Sequence, residues 1–284
     1  MAEEAPDAHL AEFLRVIGSW LERDVLPNVI ELEHADEYPT EMVEQMRDFG
    51  LFGATIPVEH GGLGLPAAAY AQIVTRISEV WTSLTGVLNS HLMMAHLVNR
   101  FGTGEQRKTF LPALASGELR GGLALTEAGC GTDLQAIRTA GRREGNGYVI
   151  DGAKTWITNG GNGNCLALLV KTDPAATPRH TGMSAFLVRN SDGYEVGRKL
   201  GKLGYRGVDT VELFFDGVTV DSDRLLGGVE GRGFAQVQGG WSSAGSTWPR
   251  AAWGSPTRRC RRRCATPPSG RRWASRSGSI RRSR

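Results

Sequence analysis

The chain has no apolar run near the roughly 20 residues that a membrane-spanning helix needs, so no membrane partner is expected. Its first 13 residues, MAEEAPDAHLAEF, are acidic and lack both a basic start and an apolar core. No secretory signal is therefore expected, and the predicted location is cytoplasmic. Four cysteines occur in 284 residues, two of them near the C-terminus, and their pattern does not suggest a disulfide framework. Cys260 and Cys264 have no histidine partners, so they do not predict a zinc site.

Acidic residues are absent from the segment 241–284. It holds twelve arginines, four of the seven tryptophans and one isoleucine, but no Leu, Val, Met or Phe. Without it, 21 basic residues face 30 acidic ones, so residues 1–240 carry a net charge of −9 although the whole chain carries +3. Such a composition cannot build an amphipathic helix, and we expect a disordered basic tail. One interpretation is an arm that binds nucleic acid. We favour a shifted coding frame, because Arg/Pro/Trp/Ser bias is what a GC-rich shifted frame produces.

Residues 8–118 are predicted to be helical. The first helix carries one apolar stripe at helical spacing, formed by Leu10, Phe13, Leu14, Ile17 and Leu21. Pro27 is expected to bend or end it. A short helix is predicted over Thr40–Phe49, closed by Gly50. The run Val80–Val98 is apolar around most of its circumference, which predicts a buried central helix. Thr103 and Gln106 have the spacing of a capping box for the next one.

The pattern changes near residue 120 to short strand-like runs separated by turn residues. These runs are Gly121–Thr126, Ile137–Arg143, Tyr148–Ile150, Cys165–Lys171, Met183–Val188, Tyr194–Val196 and Thr210–Val220. Strands of this length and spacing predict a small sandwich or barrel. The predicted fold class is therefore α+β multi-domain, with an all-α N-terminal domain over residues 1–119 and a β-domain over residues 120–225.

Two segments combine hydroxyl residues with glycines beside an apolar run. They are LALTEAGCGTD at Leu123–Asp133 and KTWITNG at Lys154–Gly160, and GKLGYRG at Gly201–Gly207 follows them. In this order, after a helical segment, they resemble the flavin-binding middle segment of the acyl-CoA dehydrogenase family. Ala128 stands where the family usually has proline, and Cys130 where it usually has alanine. Both residues are small enough to leave the loop plausible.

The resemblance implies FAD as cofactor. Leu123, Leu125 and Thr126 are expected to contact the isoalloxazine ring, with Thr126 donating to its pyrimidine side, where reduced flavin is negative. Small residues at Gly131 and Thr132 would let the chain approach the pyrophosphate. The second flavin segment comprises Trp156, Ile157 and Thr158: the indole covers one face of the ring, and Thr158 bonds near its reactive nitrogen.

Single residues of these motifs also have plainer interpretations. Thr126 and Thr158 taken alone are ordinary strand residues, and Trp156 an ordinary core aromatic; the ordered pair of motifs favours the flavin assignment. Asp133 and Asn159 are expected to be turn residues. His91 and His96 are five residues apart, which does not place them on one helical face for a metal, and no metal site is expected. Arg206 has two alternative interpretations, a contact to acyl-CoA and an ion pair with a surface acid.

The family's chemistry is the α,β-dehydrogenation of an acyl-CoA thioester. A carboxylate takes the α-proton and the flavin takes a hydride from the β-carbon, with an electron-transfer flavoprotein as acceptor in a homo-oligomeric enzyme. The family's base lies in a C-terminal helical domain, of which only residues 226–240 are expected here. Glu127 is not that base, and no catalytic residue is assigned. The expectation is a dehydrogenase truncated by a frameshift and inactive as this chain. Alternatives are a flavin oxidase or monooxygenase of the same fold, or a non-enzymatic nucleic-acid-binding protein.

Overall fold

A computed structural model describes residues 5–244 of the chain and the side chains of residues 9–239. The first half of this part is helical: α1 (Ala5–Trp20), α2 (Val29–Ala35), α3 (Thr40–Asp48), α4 (Ala67–Val80), α5 (Thr82–Phe101) and α6 (Gly104–Ala115). Strands then follow: β1 (Gly121–Ala124), β2 (Ala140–Glu144), β3 (Gly147–Thr158), β4 (Cys165–Lys171), β5 (Met183–Arg189), β6 (Glu195–Lys199) and β7 (Thr210–Asp221). The predicted order, helices before strands, is confirmed. No helix within residues 5–244 is long and apolar enough to cross a bilayer.

Helix α5 is the centre of the helical part, and most of its side chains are buried. The predicted helix over Val80–Val98 was wrong at its start, because Trp81 is extended (φ −150°, ψ 108°) and separates α4 from α5. The Trp81 indole donates a hydrogen bond of 2.8 Å to the carboxylate of Glu33 on α2. This bond holds Trp81 away from the helical path, so α5 begins at Thr82, two residues after the predicted start.

The capping box predicted at the start of α6 is confirmed. Thr103 Oγ1 accepts from the N–H of Gln106 at 3.1 Å, and Gln106 Oε1 accepts from the N–H of Thr103 at 3.0 Å. The same glutamine reaches across to the end of the β-domain. Its Nε2 donates to the carbonyls of Asp223 at 2.6 Å and Leu225 at 2.7 Å, and its Oε1 accepts from the N–H of Gly227 at 3.0 Å.

The strands form one curled seven-stranded sheet in the order β1-β4-β2-β3-β7-β6, with β5 paired to β4. Strand β4 pairs parallel with β1 and antiparallel with β5. Its residues alternate between two cores: Cys165 and Ala167 pack with the helices, whereas Leu166 and Leu168 pack inside the β-domain. A nearly continuous apolar strand is what burial on both faces requires.

Strand β3 is much longer than predicted, since the run Tyr148–Ile150 is only its beginning. It pairs with β7 through two register shifts, one between Ile150 and Gly152 and one between Lys154 and Ile157. Pairing with β7 keeps the chain in the sheet across both irregularities. At the other borders, β1 ends at Ala124 rather than at residue 126, and β6 begins one residue later than the predicted Tyr194.

Helix α7 (Gly233–Ala244) follows the sheet and packs on α5 and β5. It passes the predicted boundary at residue 241. An α-helix anchored by buried Val237 needs no further apolar residue to complete its last turn. The rest of the predicted disordered tail, residues 245–284, lies outside the described residues.

Candidate functional site

The two motif segments meet directly. The backbone N–H of Thr155 donates a hydrogen bond of 2.9 Å to the carbonyl of Thr126. Strand β1, which leads into the first motif, pairs with β4 and not with β3, which carries the second motif. The contact forms just beyond the end of β1, where the curl of the sheet brings β3 back toward it. The residue that precedes Trp156 is therefore bonded directly to Thr126.

A buried ion pair joins the same two segments. Lys154 Nζ lies 2.9 Å from Glu127 Oε1 and also donates to the carbonyl of Leu125 at 3.0 Å. The lysine side chain is fully buried, and that of the glutamate is 10% exposed. Glu127 accepts three further hydrogen bonds, from the N–H of Arg138 and from the N–H and hydroxyl of Thr139.

These contacts decide the ionisation of the pair. Burial raises the pKa of Glu127, but the charge of Lys154 and the donated hydrogen bonds outweigh it, so the pKa is lowered overall. Burial lowers the pKa of Lys154, and Glu127 opposes this. A carboxylate held by four donors is a poor proton acceptor. Glu127 is thus a structural anion that joins the two segments.

Trp156 is the most unusual residue of the second motif. It sits in the bulge of β3 with φ 62°, and its side chain is 55% exposed. A bulky residue in the left-handed region is a backbone outlier of the kind that clusters at functional sites. The strain turns a large aromatic ring out of the core, so the plainer interpretation of Trp156 as an ordinary core aromatic does not hold.

The structure separates the predicted site residues by burial. Leu125 and Ile157 are buried in the apolar cores, so only their backbone atoms could reach a ligand. Leu123 is half-buried and packs against the helical core and against the cluster that holds Leu125. The remaining predicted residues are exposed or half-buried: Thr126, Gly131, Thr132, Trp156 and Thr158.

The turn of the first motif is open on one side. Glu127 and Cys130 exchange two backbone hydrogen bonds of 3.0 Å, which close the turn. A Cβ added at Gly131 would meet only the Thr126 side chain, at 3.8 Å. The protein's own packing therefore does not require glycine there. Space beside a hydroxyl residue is what an approaching ligand would need.

Sequence reasoning missed how the third motif supports the second. The buried carboxylate of Asp209 accepts from the N–H groups of Gly161 at 2.7 Å and Asn162 at 2.9 Å. The side chain of Asn159, a residue with φ 60°, donates to the carbonyls of Val87 on α5 and Gly121 on β1, both at 2.9 Å. The turn after Thr158 is thereby fixed from both domains. An acid two residues after KLGYRG was the available signal.

Arg206 lies beside a cleft of about 480 Å³ that Glu33 and Trp81 also line. Its backbone N–H donates to Glu33 Oε1 at 3.0 Å. Its Nε is buried without a hydrogen-bond partner among the described residues. Arg206 is thus tied to the helical domain through its backbone.

His91 is a buried residue whose two ring nitrogens bond to backbone groups. The N–H of Gly121 donates to Nδ1 at 3.1 Å, so Nε2 carries the hydrogen and donates to the carbonyl of Phe52, also at 3.1 Å. Burial lowers the pKa of His91 to about 4 and keeps the ring neutral. Within residues 9–239, no group of three or more His, Cys, Asp or Glu side chains could hold a metal ion.

The donor set fits a flavin. Hydroxyls at Thr126, Thr132 and Thr158, an exposed indole at Trp156 and an open glycine at Gly131 offer hydrogen bonds, stacking and close approach. These are the contacts that a polar ring edge, a ring face and a pyrophosphate require.

Comparison with known proteins identifies similar chains. The profile "Acyl-CoA dehydrogenase, N-terminal domain" matches residues 8–118, and "Acyl-CoA dehydrogenase, middle domain" matches residues 122–218. The chain is 36% identical to the mitochondrial long-chain specific acyl-CoA dehydrogenase of Mus musculus over 227 residues, which cover 78% of this chain and 52% of that protein. It is 34% identical to the short-chain specific acyl-CoA dehydrogenase of Clostridium acetobutylicum over 222 residues, 78% of this chain and 58% of that one.

Among solved structures, butyryl-CoA dehydrogenase from Megasphaera elsdenii superimposes with a TM-score of 0.82 at 27% identity. The match covers 86% of this chain and 65% of that protein. The chain therefore spans little more than half the length of the relatives in sequence that it matches.

Proposed function

Because this chain belongs to the acyl-CoA dehydrogenase family, we propose that it carries the flavin-binding part of an FAD-dependent oxidoreductase that dehydrogenates acyl-CoA thioesters. The observation that carries this proposal is the direct bond between Thr155 and Thr126, which unites the two motif segments. The exposed Trp156 ring beside that bond supports it.

We assign the flavin contacts as follows. The backbone N–H and hydroxyl of Thr126 donate to the pyrimidine edge of the ring, and Thr158 donates near the central ring. Trp156 covers one face. Gly131 and Thr132 admit and bind the pyrophosphate. When bound, FAD supplies the two-electron acceptor for hydride removal from the β-carbon of the substrate.

Removal of the α-proton needs a separate carboxylate that can accept it. Glu127 does not serve, because four donors already hold it. Asp133 caps the N–H of Gln135 at 3.2 Å and faces Arg179 at 3.8 Å. Neither motif carboxylate is a free base, and no catalytic residue is assigned within residues 9–239.

The same proposal covers the partners of the protein and the limits of its domains. We expect an acyl-CoA thioester as substrate, an electron-transfer flavoprotein as acceptor, a homo-oligomer as the assembled family enzyme and a cytoplasmic location. The proposed domain limits are 1–119 for the helical domain and 120–225 for the flavin-binding β-domain, with 226–240 opening the C-terminal helical domain.

The proposal is tested by titrating the purified chain with FAD. Binding should quench flavin fluorescence, because an indole stacked on the ring deactivates its excited state. Thr126→Val and Thr158→Val each remove a hydroxyl at nearly constant volume and should weaken binding several-fold. Thr219→Val, on the far end of β7, is the matched control and should leave affinity unchanged. A chain that shows no saturable quenching would refute the proposal.

A further inference from the structure

The most unusual buried group of the chain is the ammonium of Lys154, and its contact to Leu125 has a consequence for Thr126. The carbonyl of Leu125 and the N–H of Thr126 belong to one peptide group. A cation that bonds to the carbonyl draws electron density from the peptide and makes its N–H a stronger donor. Lys154 Nζ makes that bond at 3.0 Å.

We infer that Lys154 is a positioning residue that raises the reduction potential of bound flavin by polarising the Leu125–Thr126 peptide. The inference rests on the proposed function, in which the Thr126 N–H donates to the pyrimidine edge. Reduced flavin carries negative charge near that edge and gains more from a stronger donor than oxidised flavin does. A polarised donor therefore favours the reduced form.

The surroundings keep the ammonium in place. Lys154 is fully buried, and its partner Glu127 is fixed by the backbone N–H groups of Arg138 and Thr139. A second contact between the segments, from the Thr155 N–H to the Thr126 carbonyl, fixes the next peptide as well. The ammonium thus lies between two acceptors, the carbonyl of Leu125 and the carboxylate of Glu127, in a site closed to water.

The effect is local. At 2.9 Å, the Glu127 carboxylate cancels most of the long-range field of the ammonium. What remains is the direct hydrogen bond to Leu125, which acts on one peptide group. A role for Lys154 in stability alone would weaken the binding of oxidised and reduced flavin equally and leave the potential unchanged.

The test compares the full chain with the double variant Glu127→Gln/Lys154→Met. Removing both charges avoids an uncompensated buried ion, and replacing a buried pair by neutral groups is often tolerated. In Glu127→Gln the amide oxygen replaces one of the two carboxylate oxygens and keeps one backbone donor, the N–H of Arg138 or that of Thr139, whereas the other N–H loses its acceptor. The turn therefore keeps part of its support without the negative charge. Arg142→Met, which removes one partner of an exposed pair on β2, is the control.

The measurement is the potential of bound FAD, obtained by equilibrating its reduction with a reference dye. We expect the preference for reduced over oxidised flavin to fall about tenfold in the double variant, which is about 30 mV for a two-electron couple. Arg142→Met should match the wild-type chain. As a second variant, Glu127→Gln/Lys154→Gln offers a neutral N–H donor and should give a potential between the two.

Two failures are distinguishable. If the wild-type chain binds no FAD, the proposed function is overturned and this inference falls with it. If FAD binds and both double variants keep the wild-type potential, only the role of Lys154 is overturned.

Discussion

The carboxylate of Glu33, on α2 of the helical domain, accepts a hydrogen bond of 3.0 Å from the backbone N–H of Arg206 in the β-domain. The same carboxylate accepts from the Trp81 indole at 2.8 Å and the Ser83 hydroxyl at 3.0 Å. One side chain thus shapes the break between α4 and α5 and fastens the loop of the third motif to it. The two domains share a polar joint as well as an apolar core.

Replacing this acceptor should loosen the joint. Glu33→Gln keeps the shape but substitutes an amide donor for one oxygen, so at least one of its donors loses its partner. An unsatisfied buried group costs about 1–3 kcal/mol. The free energy of unfolding from urea titration should fall by that amount. Glu31→Gln, an exposed position on the same helix, should change it by less than about 0.5 kcal/mol. If both changes lowered the free energy of unfolding equally, the hydrogen bonds of Glu33 would not stabilise the contact between the two domains.

Stability should also fall in acid. Burial raises the pKa of Glu33, but the hydrogen bonds donated by Arg206, Trp81 and Ser83 outweigh it and leave the pKa lowered; Glu127 behaves in the same way. The stabilisation from such groups is present above the unfolded value of about 4.3 and is lost as the pH falls through the folded pKa. Unfolding followed from pH 7 to pH 3 should show this decline, with a shallower slope in Glu33→Gln. An identical slope would show that Glu33 does not contribute to the loss of stability in acid.

The left-handed backbone conformation of Trp156 leads to a separate prediction about stability. At φ 62°, glycine fits without strain, whereas a residue with a Cβ pays about 1–2 kcal/mol. Trp156→Gly should therefore be about 1–2 kcal/mol more stable than Trp156→Ala in the FAD-free chain, measured by urea unfolding. Both variants should lose flavin quenching. An alanine variant as stable as the glycine variant would show that the bulge relaxes when the indole is removed.

Local signals were read correctly from the sequence. The capping box of Thr103 and Gln106 and the end of α3 before Gly50 depend on residues a few positions apart, and both are as predicted. The start of α5 was missed because its cause, Glu33, lies 48 residues from Trp81. A pattern of neighbouring residues contains no information about that bond.

The site was predictable as a set of motifs but not as a geometry. Asp151-Gly152 reads as a turn, and only pairing with β7 carries β3 through it. The ion pair of Glu127 and Lys154 was missed although both residues stand in the quoted motifs. A lysine in an otherwise apolar, strand-like stretch with an acid in the companion motif was the available signal, since a buried charge needs a partner.

Gln106 allows the local and distant roles of one side chain to be separated. Gln106→Glu keeps the oxygen that completes the capping box but removes the donor to the carbonyls of Asp223 and Leu225. It should cost about 1–3 kcal/mol, whereas Thr103→Ala, which removes only the cap, should cost about 1 kcal/mol. Gln72→Glu, exposed on α4, is the control. Thermal unfolding monitored by circular dichroism would rank the stabilities of the three variants. A Gln106→Glu variant as stable as the wild-type chain would contradict a stabilising role for the bonds to Asp223 and Leu225.

The 284-residue chain itself is predicted to bind FAD weakly and to leave acyl-CoA unreacted. A positioned base contributes about 10²–10⁴-fold, and both carboxylates of the first motif are engaged. Addition of saturated acyl-CoA thioesters under anaerobic conditions should not bleach the visible flavin band. Full bleaching would reveal a base within this chain.

The hydrogen bonds of Gln106 can form only in a fixed order while the chain is being synthesised. Its partner in the capping box is three residues away, whereas its partners at Asp223, Leu225 and Gly227 follow 117, 119 and 121 residues later. Chains are made from the N-terminus at about 5–20 residues per second, so α6 has its cap several seconds before the distant carbonyls emerge. The bonds that join Gln106 to the end of the β-domain can therefore form only after residue 227 has been synthesised, and helix α7, which packs on α5 and β5, follows later still.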